Sequence, residues 1–320
     1  MSQESGPRIV IYYQTQIHAD GSVCSILPLI TKPITFVTHV NVAAIHLNDP
    51  PGNITLNDHD PSHPRYFTLW AELRALQASG VKVLGMLGGA AKGSFSRLDL
   101  DEETFELYYV PLRDMIRERA LDGLDLDVEE NMTLNGIIRL IDRLRTDFGK
   151  QFLITLAPVA AALISGNPKH NLSGFCYEAL EVMRSSEIAW YNTQFYCGWG
   201  DLSSTAGYDA IIARGFPINK IVVGMVTNPA NGSGWISSWK LQNLLLALQL
   251  RYPKFGGVMG WEYFNSLPGG TQKPWEWATL MTSFLKLNPS TSSVDHASES
   301  SLSKPRTLHA NDESKTENKE

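Results

Sequence analysis

Eight short runs of β-type residues punctuate the chain, and most are separated by a segment with the periodicity of an amphipathic helix. The runs are RIVIYY (8–13), THVNVAAI (38–45), VKVLGML (81–87), LDLDVE (124–129), FLITLAP (152–158), WYNTQFY (190–196), KIVVGMV (220–226) and GGVMGWEY (256–263). Helical patterns such as YFTLWAELRALQAS and NGIIRLIDRLRTDF fill the gaps, and PWEWATLMTSFLKL follows the eighth run. Parallel strands need a crossover between them, usually a helix, and eight such units close a barrel. The pattern therefore predicts an α/β protein, a single (β/α)8 TIM barrel over residues 8–288, with 1–7 as a lead-in. Its weakest unit is the first, where QIHADGSVCSILPLITKPIT is short and broken by proline; Pro111 and Gly136 blur helix boundaries elsewhere. A doubly wound open sheet is the competing fold. MLGGAAKGSF (86–95) has glycines and a lysine, but not the spacing of a phosphate-binding loop.

Residues 289–320 lack aromatics and apolar periodicity, so they bury too little surface to offset their ordering entropy and are expected to be a disordered polar tail. A net charge of −6, from 27 basic and 33 acidic residues, argues against nucleic acid and against an anionic membrane surface. No apolar run is long enough to span a bilayer. The start, MSQESGPRIVIYY, does not have the form of a secretory signal, and three cysteines do not make a disulfide framework. These features read as a cytoplasmic protein and, by default, a monomer; a secreted form whose signal has been removed is the alternative.

The densest chemistry lies in LDGLDLDVEE (121–130), five carboxylates among buried-type residues. In a strand, residues two apart share a face, so Asp125, Asp127 and Glu129 point one way while Leu124, Leu126 and Val128 point the other. In a barrel the acidic set faces the interior and climbs toward the C-terminal rim, where barrel active sites sit. Asp122 has the opposite parity and supports the strand's entry; Glu130 lies past the strand, in solvent. A calcium loop needs a looped backbone and a central glycine, which alternating Leu and Val do not allow. Carboxyls at ~7 Å spacing in a partly dry interior do not all ionise. One is pushed toward its protonated form, as a general acid for a glycosidic oxygen requires. Glu129, at the strand's end, is the candidate acid, with Asp127 and Asp125 behind it, the three titrating as a coupled set.

DGLDLDVE (122–129) has the D-G-x-D-x-D-x-E form of glycoside hydrolase family 18, and the resemblance runs from about residue 8 to 287. LGMLGG resembles the family's third-strand S-x-G-G, giving Gly88 and Gly89 as substrate-side residues, with Met86 where serine is usual. TQFY resembles the sixth-strand motif and offers Tyr196 to the substrate acetamide, with Gln194 beside it. GVMGWEYF places Trp261 as a pocket floor, and IVIYY brings Tyr12 to the sugar pocket. His46, Trp199, Trp235 and Trp239 are candidates for the rim.

The resemblance implies substrate-assisted catalysis with retention and no cofactor or metal. In it Glu129 is the acid, Asp127 orients the acetamide, Asp125 shares a proton with Asp127, and Tyr196 bonds the acetamide oxygen. Both chitinases and endo-β-N-acetylglucosaminidases carry the motif. Glu130-Asn131 after the acid, instead of Tyr-Pro, and a gap of about thirty residues between the last two strands lean toward an enzyme that cuts the di-N-acetylchitobiose core of N-glycans. High-mannose glycans are the expected class, with transglycosylation as an accompanying activity. A chitinase is the alternative, and a non-catalytic carbohydrate-binding protein the second.

Overall fold

The computed structural model describes residues 6–286, so the tail and the first five residues lie outside the described residues. Eight parallel strands close on themselves: β1 (Arg8–Tyr13), β2 (His39–Asn48), β4 (Lys82–Gly88), β5 (Gly123–Asp127), β6 (Leu153–Leu156), β7 (Trp190–Gln194), β8 (Ile221–Val226) and β9 (Gly257–Trp261). The β1–β2 pairing completes the circle. The remaining strand, β3 (Asn53–Leu56), pairs antiparallel with the outer half of β2 and raises a hairpin above the rim. The sequence reading ended the second strand at residue 45 and missed this hairpin, although Asp49-Pro50-Pro51-Gly52 between the two arms is a strong turn signal.

The crossovers are α1 (Pro28–Thr31), α2 (Phe67–Ala78), α3 (Ser94–Leu98), α4 (Glu102–Glu118), α5 (Leu134–Phe148), α6 (Ala160–Ile164), α7 (Tyr177–Arg184), α8 (Ala206–Ala213), α9 (Ser238–Arg251) and α10 (Glu276–Lys286). The first crossover holds only one turn of helix, as its prolines suggested. Helix α4 runs through Pro111 unbroken, because Phe105, Tyr109, Leu112 and Ile116 on one face are buried. Burying four such side chains contributes about 1.5–3 kcal/mol each, against about 3 kcal/mol for an interior proline. Helix α5 tolerates Gly136 because Asp99, which bonds Thr133 N and Oγ1 at 2.7 and 2.6 Å, fills the space a side chain there would take.

Two apolar layers result. Leu124, Leu126 and Val128 belong to the outer layer between strands and helices, as the alternation demanded. Inside the barrel, Val10, Tyr12, Met86, Trp190, Tyr196, Val222 and Met259 form a second cluster. At the barrel's lower end, His39 meets the Trp190 ring edge-on at 4.5 Å; burial, with Arg8 and Lys82 nearby, lowers it to about 3, so it is a neutral core residue. Among the described residues, no helix is long and apolar enough to cross a membrane.

Candidate active site

Strand β5 carries Asp125 and Asp127 on its inner face, and Glu129 follows two residues beyond its end. Burial decreases upward: Asp125 is 0% exposed, Asp127 6%, and Glu129 is half-buried. The outermost of the three is therefore the most open to solvent.

Asp125 sits among donors. Its Oδ1 accepts from Thr155 Oγ1 at 2.5 Å and from Asn192 Nδ2 at 2.9 Å, and its Oδ2 accepts from the Tyr12 hydroxyl at 2.5 Å. Thr155 faces Asp125 directly across the β5–β6 ladder. Asn41, opposite Tyr12 on β2 and wholly buried, also favours the carboxylate but makes no well-formed hydrogen bond to it. Burial raises the Asp125 carboxyl above the usual range, and these donors limit the rise.

Asp127 has fewer donors and more charge around it. Gln194 Nε2 donates to its Oδ1 at 3.0 Å, to Glu129 Oε1 at 3.3 Å and to the Ala157 carbonyl at 2.9 Å. Burial, then the neighbouring Glu129 and Asp125, pushes Asp127 well above the ordinary carboxylate range; only Gln194 opposes this. Burial also raises Glu129, again opposed by Gln194. Three carboxyls on one face thus hold protons at pH values where exposed ones are ionised, which is the condition for an acid at Glu129.

Tyr196 lies beside them at 8% exposure, and its hydroxyl has no hydrogen-bond partner among the described residues. Burial and the nearby Asp127 and Glu129 keep that phenol protonated. It is a free donor at the edge of the carboxylates. Trp261, half-buried at the end of β9, packs against Tyr12 at 5.6 Å. Glu262, next in the chain, accepts from Gln14 N, Thr15 N and Thr15 Oγ1 at 3.1, 2.8 and 2.7 Å, tying the end of β9 to the loop after β1.

Gly88 and Gly89 serve close packing. Both have positive φ, +92° and +89°, and Gly89 N donates to the Asp127 carbonyl at 2.8 Å. A Cβ on Gly88 would stand 2.4 Å from the Phe95 ring and 2.6 Å from that carbonyl oxygen. Met86 is buried in the inner cluster, its methyl beneath Gly89.

Several expectations change. Tyr12 is 1% exposed and is spent on Asp125, so it stands behind the carboxylates and not at a sugar surface. Glu130 is buried, not solvated: its carboxylate accepts from Gly93 N and Phe95 N at 2.9 and 2.8 Å, because the chain turns inward once the strand ends. Asp122 does support the strand's entry, through Val83 N, Gln77 Nε2 and Lys82 Nζ. Trp199 is packed on the core, whereas Trp235 and Trp239 are exposed. Thr155 and Asn192 escaped the sequence reading. Their signal was a polar residue at an inward position of a buried strand.

A cavity of about 680 Å³ opens on the rim around the β2–β3 hairpin, walled by Gln14 and Gln16 after β1, His46 on β2, Asn57 and Asp58 after β3, and Lys92 after β4. Its walls include none of the three carboxylates, nor Gln194, Tyr196 or Trp261. Burial lowers His46, which keeps a neutral imidazole in the wall. Among the described residues, no cluster of three or more His, Cys, Asp or Glu is placed to hold a metal ion.

Comparison with known proteins agrees with this geometry. The chain is 50% identical to a fungal endo-β-N-acetylglucosaminidase of family 18 of known structure, covering 88% of this chain and 99% of that one with a TM-score of 0.84. It is 54% identical to the chitinase ChiC of Aspergillus fumigatus, covering 86% and 98% with a TM-score of 0.79. It is also 29% identical over 206 residues to Chitinase 2 of Rhizopus oligosporus, a match that spans 60% of this chain but only 36% of that protein. The model of glycosyl hydrolases family 18 matches residues 8–301, and with the strand-borne acid triad in place the chain belongs to that family.

Proposed function

We propose that this glycoside hydrolase is an endo-β-N-acetylglucosaminidase that cuts the β1,4 bond within the di-N-acetylchitobiose core of N-glycans, of high-mannose type. The carrying observation for the chemistry is the graded burial of Asp125, Asp127 and Glu129, with one amide, Gln194, reaching the outer two. Glu129 protonates the departing glycosidic oxygen. The substrate's acetamide oxygen attacks the anomeric carbon from the opposite face, giving an oxazolinium ion. Asp127 accepts the acetamide N–H, and Tyr196 donates to the acetamide oxygen. The developing positive charge then faces a preorganised carboxylate instead of reorienting water. Asp125, locked by its donors, shares the proton of the pair. Glu129, now a base, takes a proton from the incoming water, and configuration is retained overall. A sugar hydroxyl that replaces this water yields transglycosylation.

The short last crossover supports the glycan reading. The crossover between β8 and β9 is the single helix α9, so no inserted domain deepens a groove there. The endo-β-N-acetylglucosaminidase of known structure, matched almost end to end, supports it as well. The second reading, chitinase, draws on the equally extensive likeness to the Aspergillus enzyme.

The test is mass spectrometry of a high-mannose glycoprotein and of chitin oligosaccharides after incubation with wild type and Glu129→Gln. Loss of the glycan, with one N-acetylglucosamine left on asparagine and at least a hundredfold slower in the variant, is the expected result. Cleavage of chitin oligosaccharides alone would make the chitinase reading correct, and binding without cleavage of either would overturn both.

A further inference from the structure

The acid stands where the sheet no longer holds the chain. The last β5 ladder position is Asp127, paired with Gly88, and its carbonyl takes Gly89 N at 2.8 Å. Glu129 lies two residues further on, in non-strand backbone, and among the described residues its carboxylate accepts one hydrogen bond, from Gln194 at 3.3 Å. A general acid needs its oxygen placed to within a fraction of an ångström of the leaving oxygen, so something outside the ladder must fix residues 128–130.

Two anchors flank the acid. On its N-terminal side, Ser173 Oγ donates to the Val128 carbonyl at 2.6 Å, pairs with the Tyr177 hydroxyl at 2.8 Å, and its own carbonyl accepts from Met132 N at 3.0 Å. On its C-terminal side, both oxygens of the buried Glu130 accept from Gly93 N at 2.9 Å, and Oε1 also accepts from Phe95 N at 2.8 Å. The second anchor closes a circuit. The Phe95 ring lies against Gly88, Gly88 pairs with Asp127, and Asp127 leads through Val128 back to the acid. Glu130 thus ties the backbone after Glu129 to the same small helix that packs beneath Asp127, fixing the separation of acid and helper.

We infer that Glu130 is a positioning residue for the reaction, a buried carboxylate that holds Glu129 in register with Asp127 without touching substrate. Glutamine keeps one acceptor oxygen for these two N–H groups but loses the charge and the second acceptor, and alanine satisfies neither. The acid then samples positions from which proton transfer fails, while the acetamide attack, organised by Asp127 and Tyr196, continues. The inference rests on Glu129 being the acid.

The experiment compares two leaving groups on one donor glycan that the wild type cleaves: the natural sugar, which needs protonation, and fluoride, which needs far less. The readout is kcat/KM, which covers only the steps through leaving-group departure, so later use of Glu129 as a base does not enter. For Glu130→Ala, kcat/KM with the sugar leaving group falls about 10–100-fold, while that with fluoride stays within about threefold; Glu130→Gln falls between. Both rates come from the same preparation, so their ratio is unaffected by a partly unfolded sample. Equal losses with both leaving groups, or no loss, overturn the inference. Glu129→Gln is the control. If it retains activity on the sugar leaving group, the assignment of the acid fails; if it loses that activity while Glu130→Ala shows equal losses, only the positioning role fails.

Discussion

Replacing Tyr12 by phenylalanine isolates one bond in the buried carboxylate group. The ring and its packing on Trp261 are kept, and the donor at 2.5 Å from Asp125 Oδ2 is removed. Where Asp125 is ionised, the lost bond is one to a buried charge, and the expected destabilisation is about 1.5–3 kcal/mol. Where it is protonated, the lost bond is neutral and is worth about 0.5–1.5 kcal/mol. The pH dependence follows from linkage. The Asp125 carboxyl is raised in the folded state by burial, so its contribution to stability is full below the unfolded pKa of about 3.9 and is lost as pH rises through the folded pKa. The Tyr12 bond opposes that rise, so without it the folded pKa climbs further and the deficit of the variant grows with pH. Equilibrium urea unfolding at about pH 3.5 and pH 7.5 measures both ends of this range, with the larger loss expected at the higher pH. In a thermal scan at pH 7.5, the same loss appears as a fall in Tm of about 3–6 °C for a domain of this size. A loss that is equal at both pH values, or below about 0.5 kcal/mol at pH 7.5, would refute the placement of a charged, tyrosine-bonded carboxylate at Asp125.

Two further outcomes follow from the same geometry. Gln194 is the hydrogen bond that lowers both Asp127 and Glu129, so Gln194→Leu lets burial raise them further. The alkaline limb of the kcat/KM profile should then move to higher pH as the maximal rate falls, and a limb that moves down would contradict the assignment. Gly88→Ala puts a Cβ at positive φ into the Phe95 ring and the Asp127 carbonyl. It is expected to cost about 2–4 kcal/mol in urea unfolding, with activity falling alongside.

How much of this was legible depended on whether the information was local. Alternation within LDLDVE placed three carboxylates inward and three aliphatics outward, because side-chain parity is a property of one strand. The same reasoning failed at Glu130, where the strand has ended and parity no longer applies; the turn that buries it is set by α3, thirty-five residues earlier in the chain. Tyr12 was read as a sugar contact because its sequence motif carries no depth, and only the closure of β1 against β2 and β9 lowers it beneath Trp261. Thr155 and Asn192 meet Asp125 through the stagger of β5, β6 and β7, and that stagger is fixed when the barrel closes.

The sequence by itself determined the strand–helix alternation, hence the barrel, and the placement of Asp125, Asp127 and Glu129 on one inward side. These are local consequences of hydrophobic periodicity and of spacing along one strand. Only the tertiary structure decided which donors hold Asp125, that Gln194 reaches both Asp127 and Glu129, and that Glu130 is buried against Gly93 and Phe95. Each of those depends on side chains far apart in sequence, brought to hydrogen-bond distance by the register of a closed sheet, and no single segment carries that register.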